Sequence, residues 1–194
     1  MSETASTARG TMRIMPATDS EFWRGALAWT DEDGLQQPWR LPPDRARRVH
    51  APELIRMARM AAGVRLEMIT DAASVELTLQ FTDEDPGAVD VLVDGHLVDR
   101  HRLTNGEHTL AVELPEGDHE VRIWLPQYGR TRVGAATVTG ASHVDPLPAR
   151  PRWITYGSSI TQCRQAEGPS ETWPAIVALA RGWDLICLGF AGQC

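Results

Sequence analysis

The chain of 194 residues has room for one large domain, or for one domain and part of a second. Its 42% of hydrophobic residues suffices for an ordinary core, yet no apolar run reaches membrane-spanning length, so no membrane is expected as a partner. A formal net charge of −7 excludes the electrostatics of a nucleic-acid binder.

Residues 1–12 mix Ser, Thr, Ala and Gly without periodicity and read as a disordered tail. They lack the apolar stretch of a signal peptide, which points to the cytoplasm. From 14 to 139, short alternating runs follow one another between turn residues. Residues 64–70 and 75–81 alternate apolar and polar side chains. Residues 89–93 run into Asp94-Gly95, a two-residue hairpin signal, and on to 96–98. Residues 109–114 close at Glu116-Gly117-Asp118, 119–125 alternate again, and 134–139 make a last short strand. Period-two alternation puts one face of each strand in a core and the other in water. Six or more such strands at close spacing predict a two-sheet antiparallel sandwich, a jelly roll. The arginine patch Arg45, Arg47, Arg48 stays unassigned, and residues 53–60 fit either a strand or a short helix.

The pattern changes at Asp145-Pro146-Leu147-Pro148-Ala149-Arg150-Pro151, where three prolines predict a stiff extended linker. Residues 153–156 form a continuous strand-like run. Residues 174–181 read as a helix, with Ser170 or Thr172 as its N-cap and Gly182 as its stop. Residues 184–188 are a second apolar strand ending at Gly189. Strand, crossover helix and strand make a βαβ unit. The predicted fold class is therefore mainly β: a tail over 1–12, an antiparallel sandwich with its linker over 13–148, and a βαβ unit over 149–194. Both strands of that unit are apolar enough to need cover on two faces, so the segment is expected to be mobile, covered by another copy, or prone to aggregate.

The three cysteines, Cys163, Cys187 and Cys194, are odd in number and read as free thiols. Their spacing fits no metal site, and no cofactor is implied. The arginines, all 19 of the basic residues, reflect codon bias rather than a device.

The chemistry lies in Trp153-Ile154-Thr155-Tyr156-Gly157-Ser158-Ser159-Ile160-Thr161. A strand ends at a glycine and turns sharply through a serine pair. A hydroxyl there is exposed, and the amides that follow can face the same point. Ser159 is the candidate nucleophile, although a serine needs a neighbouring base. Taken alone, Gly-Ser-Ser is equally compatible with an ordinary loop. The second strand ends in Gly189-Phe190-Ala191-Gly192, beside the first strand's end in a parallel pair, so the Gly192 amide is a candidate second oxyanion donor. Cys163 and Cys194 are placed to approach the serine.

These segments, together with Glu171-Thr172-Trp173-Pro174-Ala175, resemble the start of an SGNH (GDSL-type) hydrolase. A jelly roll ahead of such a domain also resembles certain carbohydrate esterases of that family. The resemblance implies a flavodoxin-like α/β/α domain, Ser159 as nucleophile and Gly192 as oxyanion donor. Ser158 stands where the best-known form of the motif has aspartate. The substrate implied is a small-molecule or carbohydrate ester, cleaved by an esterase or passed on by an acyltransferase. The family's asparagine and its Asp-x-x-His pair do not occur after Ser159, so the chain is expected to be a truncated enzyme, inactive alone and lacking roughly 150 residues. His50, His96, His101, His108, His119 and His143 all precede the serine and read as surface or structural; His119, among polar neighbours, reads as facing solvent. A rival reading is a non-catalytic sandwich that binds carbohydrate or a partner, with Trp23, Trp29 and Trp39 as stacking surfaces. A homo-oligomer is compatible with either.

Overall fold

The structure, a computed structural model, describes residues 9–46, 48, 50–83 and 85–193. Its first part runs β1 (Gly10–Ile14), β2 (Trp23–Arg24), β3 (Ala28–Glu32), β4 (Leu35–Trp39), α1 (Pro43–Ala46), α2 (Pro52–Ala58), β5 (Arg65–Thr70), β6 (Ser74–Thr82), β7 (Ala88–Val93), β8 (His96–Arg102), β9 (Gly106–Glu113), β10 (His119–Trp124), β11 (Arg130–Ala141) and β12 (Val144–Asp145). One antiparallel sheet orders β3-β4-β11-β6-β9, with β1 also on β11; the other orders β12-β5-β10-β7-β8, with β2 on β5. Taking β4 to β11 as eight strands, the two sheets read 4-11-6-9 and 5-10-7-8, which is jelly-roll order. Inward residues of both sheets, among them Leu66, Met68, Leu77, Leu79, Val121 and Ile123, close a single core.

Several segments differ from the sequence expectation. Residues 10–12 are not tail but strand, paired with β11, while 1–8 lie outside the described residues. The segment 53–60 is helical as far as Ala58, with Pro52 in its first turn where a missing amide costs nothing, and Met60 bridges to Arg130. Arg45 lies in α1 and Arg48 in a turn; Arg47 is outside the described residues. A whole hairpin, β3–β4, turns at Asp33-Gly34, both with positive φ (57° and 82°), the same turn chemistry as Asp94-Gly95 (50° and 79°). Trp23 and Trp39 are buried at 5% and 8% exposure and fill cores, so neither is a stacking platform, while the half-buried Trp29 packs edge-on against Trp23.

The second part comprises β13 (Arg152–Gly157), α3 (Ser159–Gln162), a 3-10 turn (Pro169–Glu171), α4 (Trp173–Arg181) and β14 (Asp184–Gly189). β13 and β14 pair in parallel, in register from Arg152↔Asp184 to Gly157↔Gly189. Thr172 caps α4, its Oγ1 accepting from the Ala175 amide at 3.3 Å, and Gly182 ends it in the left-handed conformation. Ser170, the other cap candidate, binds the sandwich instead.

This unit is docked, not tethered. Its α4 and β14 cover the outer face of β5, β10 and β7, where Leu92 and Trp124 pack with Ala175, Ala178, Leu185 and Cys187. Strands β5 and β7 and most of β10 are therefore buried on both faces, contrary to the one-wet-face expectation, while β8 at the edge stays exposed. Their outward polar residues are buried too. Glu67, 1% exposed, meets Arg65 at 2.6 Å, Arg122 at 3.3 Å and Arg150. Arg65 reaches on to Asp184 of β14 at 2.8 Å. Asp90, 0% exposed, takes two bonds from Arg100 (2.6 and 3.0 Å) and two from Ser170, its hydroxyl at 2.6 Å and its amide at 3.0 Å. The proline segment is extended but pinned: Leu147 is buried, Arg150 bonds Glu67, and the Asp184 amide donates to the Pro151 carbonyl at 2.9 Å. Cover is nonetheless incomplete, since Ile154 and Tyr156 of β13 are 57% and 72% exposed. Among the described residues no helix is long and apolar enough to cross a membrane.

Burial pushes the Glu67 carboxyl up, but Arg65, Arg150 and Arg122 together outweigh it and hold the group at about 2, below the ordinary 4.5. A depressed carboxylate stabilises the fold above its unfolded pKa, and that contribution is lost as pH falls from 4.5 towards 2. The difference is worth about 3 kcal/mol. Glu67→Gln is therefore expected to lower stability at pH 7 by about 3 kcal/mol and to flatten the acid limb of a urea-unfolding pH series. An unchanged acid limb would show that Glu67 is not the group that titrates there.

Candidate active site

β13 delivers the chain to Gly157; Ser158 is the N-cap of α3 and Ser159 its first residue. The turn is tight. The Ser158 carbonyl accepts from the amides of Thr161 and Gln162, both at 3.1 Å, and the Cys163 amide donates to the Ser159 carbonyl at 2.8 Å. Cys163 closes the turn in the left-handed conformation, φ 56°. Ser159 itself is exposed.

Two paired glycines make this possible. A Cβ on Gly157 would stand 2.3 Å from Thr161 Oγ1, and one on Gly189 would stand 2.4 Å from the Gln162 amide nitrogen. α3 thus sits directly on the ends of both strands, closer than any side chain would allow. The second turn is tied to the first. The Phe190 amide donates to the Gly157 carbonyl at 2.8 Å, and the Ala191 amide to Gln162 Oε1 at 3.0 Å. Ser159 and Gly192 therefore lie at the same end of the parallel pair. Gly192 is exposed, with φ 73°.

The sandwich reaches into this region. Gln162, 1% exposed, donates to the Gln127 carbonyl at 2.9 Å, and Gln127 donates to the carbonyls of Cys163 and Gly168, both at 3.3 Å. A cavity of about 530 Å³ opens beside Ser159, lined also by Tyr128 from the sandwich, Ile160, Arg164, Glu171 and Trp173. Trp173 Nε1 donates to the Ile160 carbonyl at 2.9 Å, and the Arg164 guanidinium lies 4.1 Å over the Tyr128 ring. The walls thus combine aromatic surface with one cation and one carboxylate, a setting for a small molecule bearing both apolar and polar groups. Cys163 lines the same cavity, its thiol pushed up by burial; Cys194 lies outside the described residues.

Among the described residues no histidine lines this cavity. His119 is partly shielded, not simply solvent-facing: its Nδ1 lies 2.7 Å from Asp94 Oδ2 in the sandwich, a contact that raises its pKa. His101 pairs with Asp99 at 2.9 Å, and His143 lies 3.6 Å from both Asp71 and Asp118. No group of three His, Cys, Asp or Glu residues among the described ones is arranged to hold a metal. Sequence reasoning misses Tyr128 and Gln127, whose run Trp124-Leu125-Pro126-Gln127-Tyr128 reads only as the end of a sandwich strand.

Several solved structures share this fold. Salicylyl-acyltransferase SsfX3 from a tetracycline biosynthetic pathway matches with a TM-score of 0.83 at 33% identity, over 95% of this chain and 55% of that one. A protein described as a GDSL-like lipase from Bacteroides ovatus matches at 0.74, 17% identity, 94% and 57%. A family two carbohydrate esterase from Cellvibrio japonicus matches at 0.65, 17% identity, 96% and 54%. The latter two likenesses concern the fold alone. The chain belongs to the family of the SsfX3 N-terminal domain, whose model matches residues 22–132, more than half of it. It spans about half the length of the three solved structures. No curated protein matches its sequence.

The glycine pair gives a direct test. Gly189→Ala sets a methyl against the α3 backbone, which cannot rotate away as a side chain would. We expect a loss of about 1–3 kcal/mol, with faster hydrogen exchange over 158–163. Wild-type stability and exchange would mean that α3 does not rest on Gly189.

Proposed function

We propose that this chain carries the nucleophile half of a serine acyl-transfer site of the SGNH type. Ser159 Oγ attacks the carbonyl carbon of an ester. A histidine held by an aspartate, the pair that the SGNH resemblance implies, takes the hydroxyl proton. The carbonyl oxygen becomes an oxyanion, stabilised by the Ser159 and Gly192 amides. Collapse of the tetrahedral species breaks the ester bond, the leaving alcohol takes the proton from the histidine, and an acyl-serine remains. Water then releases the acid, or an acceptor hydroxyl takes the acyl group. The observation that carries this reading is the exposed Ser159 on a strand-end turn, bonded through Gln162 and Gly157 to the turn that holds Gly192. The substrate class is a small-molecule or carbohydrate ester, with no nucleic acid and no membrane involved.

Transfer to an acceptor is a second reading. The 33% identity to a salicylyl-acyltransferase supports it, as does the aromatic surface that Tyr128 and Trp173 place beside Ser159 for an aromatic acyl group.

A fluorophosphonate probe is expected to label Ser159 in the full-length protein, and Ser159→Ala to abolish both the label and turnover of p-nitrophenyl and acetylated-sugar esters. Persistent turnover in Ser159→Ala would sink the proposal. Partition of the acyl-enzyme between water and added alcohols separates hydrolase from transferase. Residues 1–194 alone are expected to stay near background; Ser159-dependent turnover by that fragment would place the base within it.

A further inference from the structure

The edge of β14 that faces away from β13 is capped by arginines. Strand carbonyls point alternately to the two edges. In β14 the even-numbered positions serve β13, since the amides of Asp184 and Phe190 donate to Pro151 and Gly157. The carbonyls of Leu185, Cys187 and Gly189 therefore face outwards. Arg65 Nη1 donates to Leu185 at 3.1 Å, and Arg40 Nη1 donates to Cys187 at 3.2 Å and to Gly189 at 2.6 Å.

Arg40 is the unusual member. It is 0% exposed, and no carboxylate pairs with it among the described residues. Its remaining donors go to backbone carbonyls of the sandwich part, Nε to Met60 at 2.7 Å and Nη2 to Met57 at the end of α2. Its guanidinium lies 4.8 Å over the Phe190 ring. Trp39, Met57, Met60 and Tyr128 build the surrounding small core, on which Phe190, Leu188 and Ala191 pack. Burial lowers its pKa to about 10, which leaves it charged at neutral pH. For stability alone a buried cation is a poor choice, because an apolar side chain of similar volume serves as well or better. What a planar fork adds is direction: it binds two chain segments at fixed angles.

We propose that Arg40 is a positioning residue, contributed by the sandwich, that fixes the turn 189–192 so that the Gly192 amide meets the oxyanion formed at Ser159. This rests on the acyl-transfer reading above. Arg40 touches no substrate; it acts through Gly189 and Phe190.

The test uses the full-length protein with Arg40→Met, Arg40→Lys and Ser159→Ala, a p-nitrophenyl ester, and hydrogen exchange. Arg40→Met is expected to lower kcat about 10- to 100-fold with KM changed by less than about threefold, because the lost interaction belongs to the transition state. Arg40→Lys, which keeps the charge but cannot span both carbonyl pairs, is expected to recover part of kcat. Amides of 190–193 should exchange at least about tenfold faster while those of the sandwich core keep their protection. Wild-type kcat and wild-type exchange at 190–193 in both variants would overturn the proposal, whatever the melting temperature does. Exchange that rises equally throughout the chain would overturn it too, by making Arg40 a general stabiliser. Should Arg40→Met fail to fold, Arg40→Lys decides by the same two readouts. Undiminished turnover in Ser159→Ala would defeat the acyl-transfer reading instead, and the exchange arm would then decide whether Arg40 holds the turn.

Discussion

The structure depends on a charged sheet face that is kept dry. The strands β5, β7 and β10 carry Arg65, Glu67, Asp90 and Arg122 outwards, the direction in which a sandwich ordinarily meets solvent, and β14 and α4 cover them. Charges removed from water are tolerated only when paired or fully hydrogen-bonded, and one left with neither would cost several kcal/mol. The pairing is completed across the boundary. Arg65 needs Asp184 and the Leu185 carbonyl, and Asp90 is filled by Ser170 as well as by Arg100. Neither part presents a satisfied surface alone, so the sandwich and the βαβ unit share one buried boundary.

That coupling reaches the candidate nucleophile through backbone. The arginine-capped edge fixes β14; the Gly157–Gly189 pair lets α3 rest on the strand ends; Gln162 then binds the Ala191 amide on one side and the Gln127 carbonyl on the other. Each link is a hydrogen bond or a steric limit with little freedom, which is what a site needs when reacting atoms must be held to fractions of an ångström. A disordered proline tether would break this chain of contacts. The linker instead runs extended over the sheet, fastened by Arg150 to the same Glu67 that anchors Arg65.

Much of this was legible in the residues. Asp94-Gly95 and the runs around it disclose a hairpin because alternation and turn chemistry agree there. Asp33-Gly34 makes the same turn, but its flanks, Ala28-Trp29-Thr30-Asp31-Glu32 and Leu35-Gln36-Gln37-Pro38-Trp39, do not alternate. Gln37 is fully buried among backbone carbonyls, with its amide bonded to Pro38 and Arg59. The serine turn and its glycine partner stand out because their chemistry needs those residue types in sequence. Arg40 does not: within Trp39-Arg40-Leu41-Pro42 an arginine reads as surface, and its role arises only when β14 arrives from residues 147 and 149 positions further on. For the same reason Glu67 and Arg122 read as wet positions. Period two distinguishes the faces of a strand but not what finally covers them.

The two edges of the parallel pair are thereby unequal. Outer carbonyls on β14 are occupied by Arg65 and Arg40, so no strand can add there without displacing two buried cations. On β13 the residues Ile154 and Tyr156, which alternate with the buried Thr155, are exposed at 57% and 72%. Parallel strands are ordinarily covered on both faces. A further strand can therefore add to this pair only beside β13, and the Gly192 turn lies at the margin that the sandwich holds. In the proposed site, the placing of Ser159 on the β13 side and of the Gly192 turn on the β14 side follows from which edge the arginines occupy.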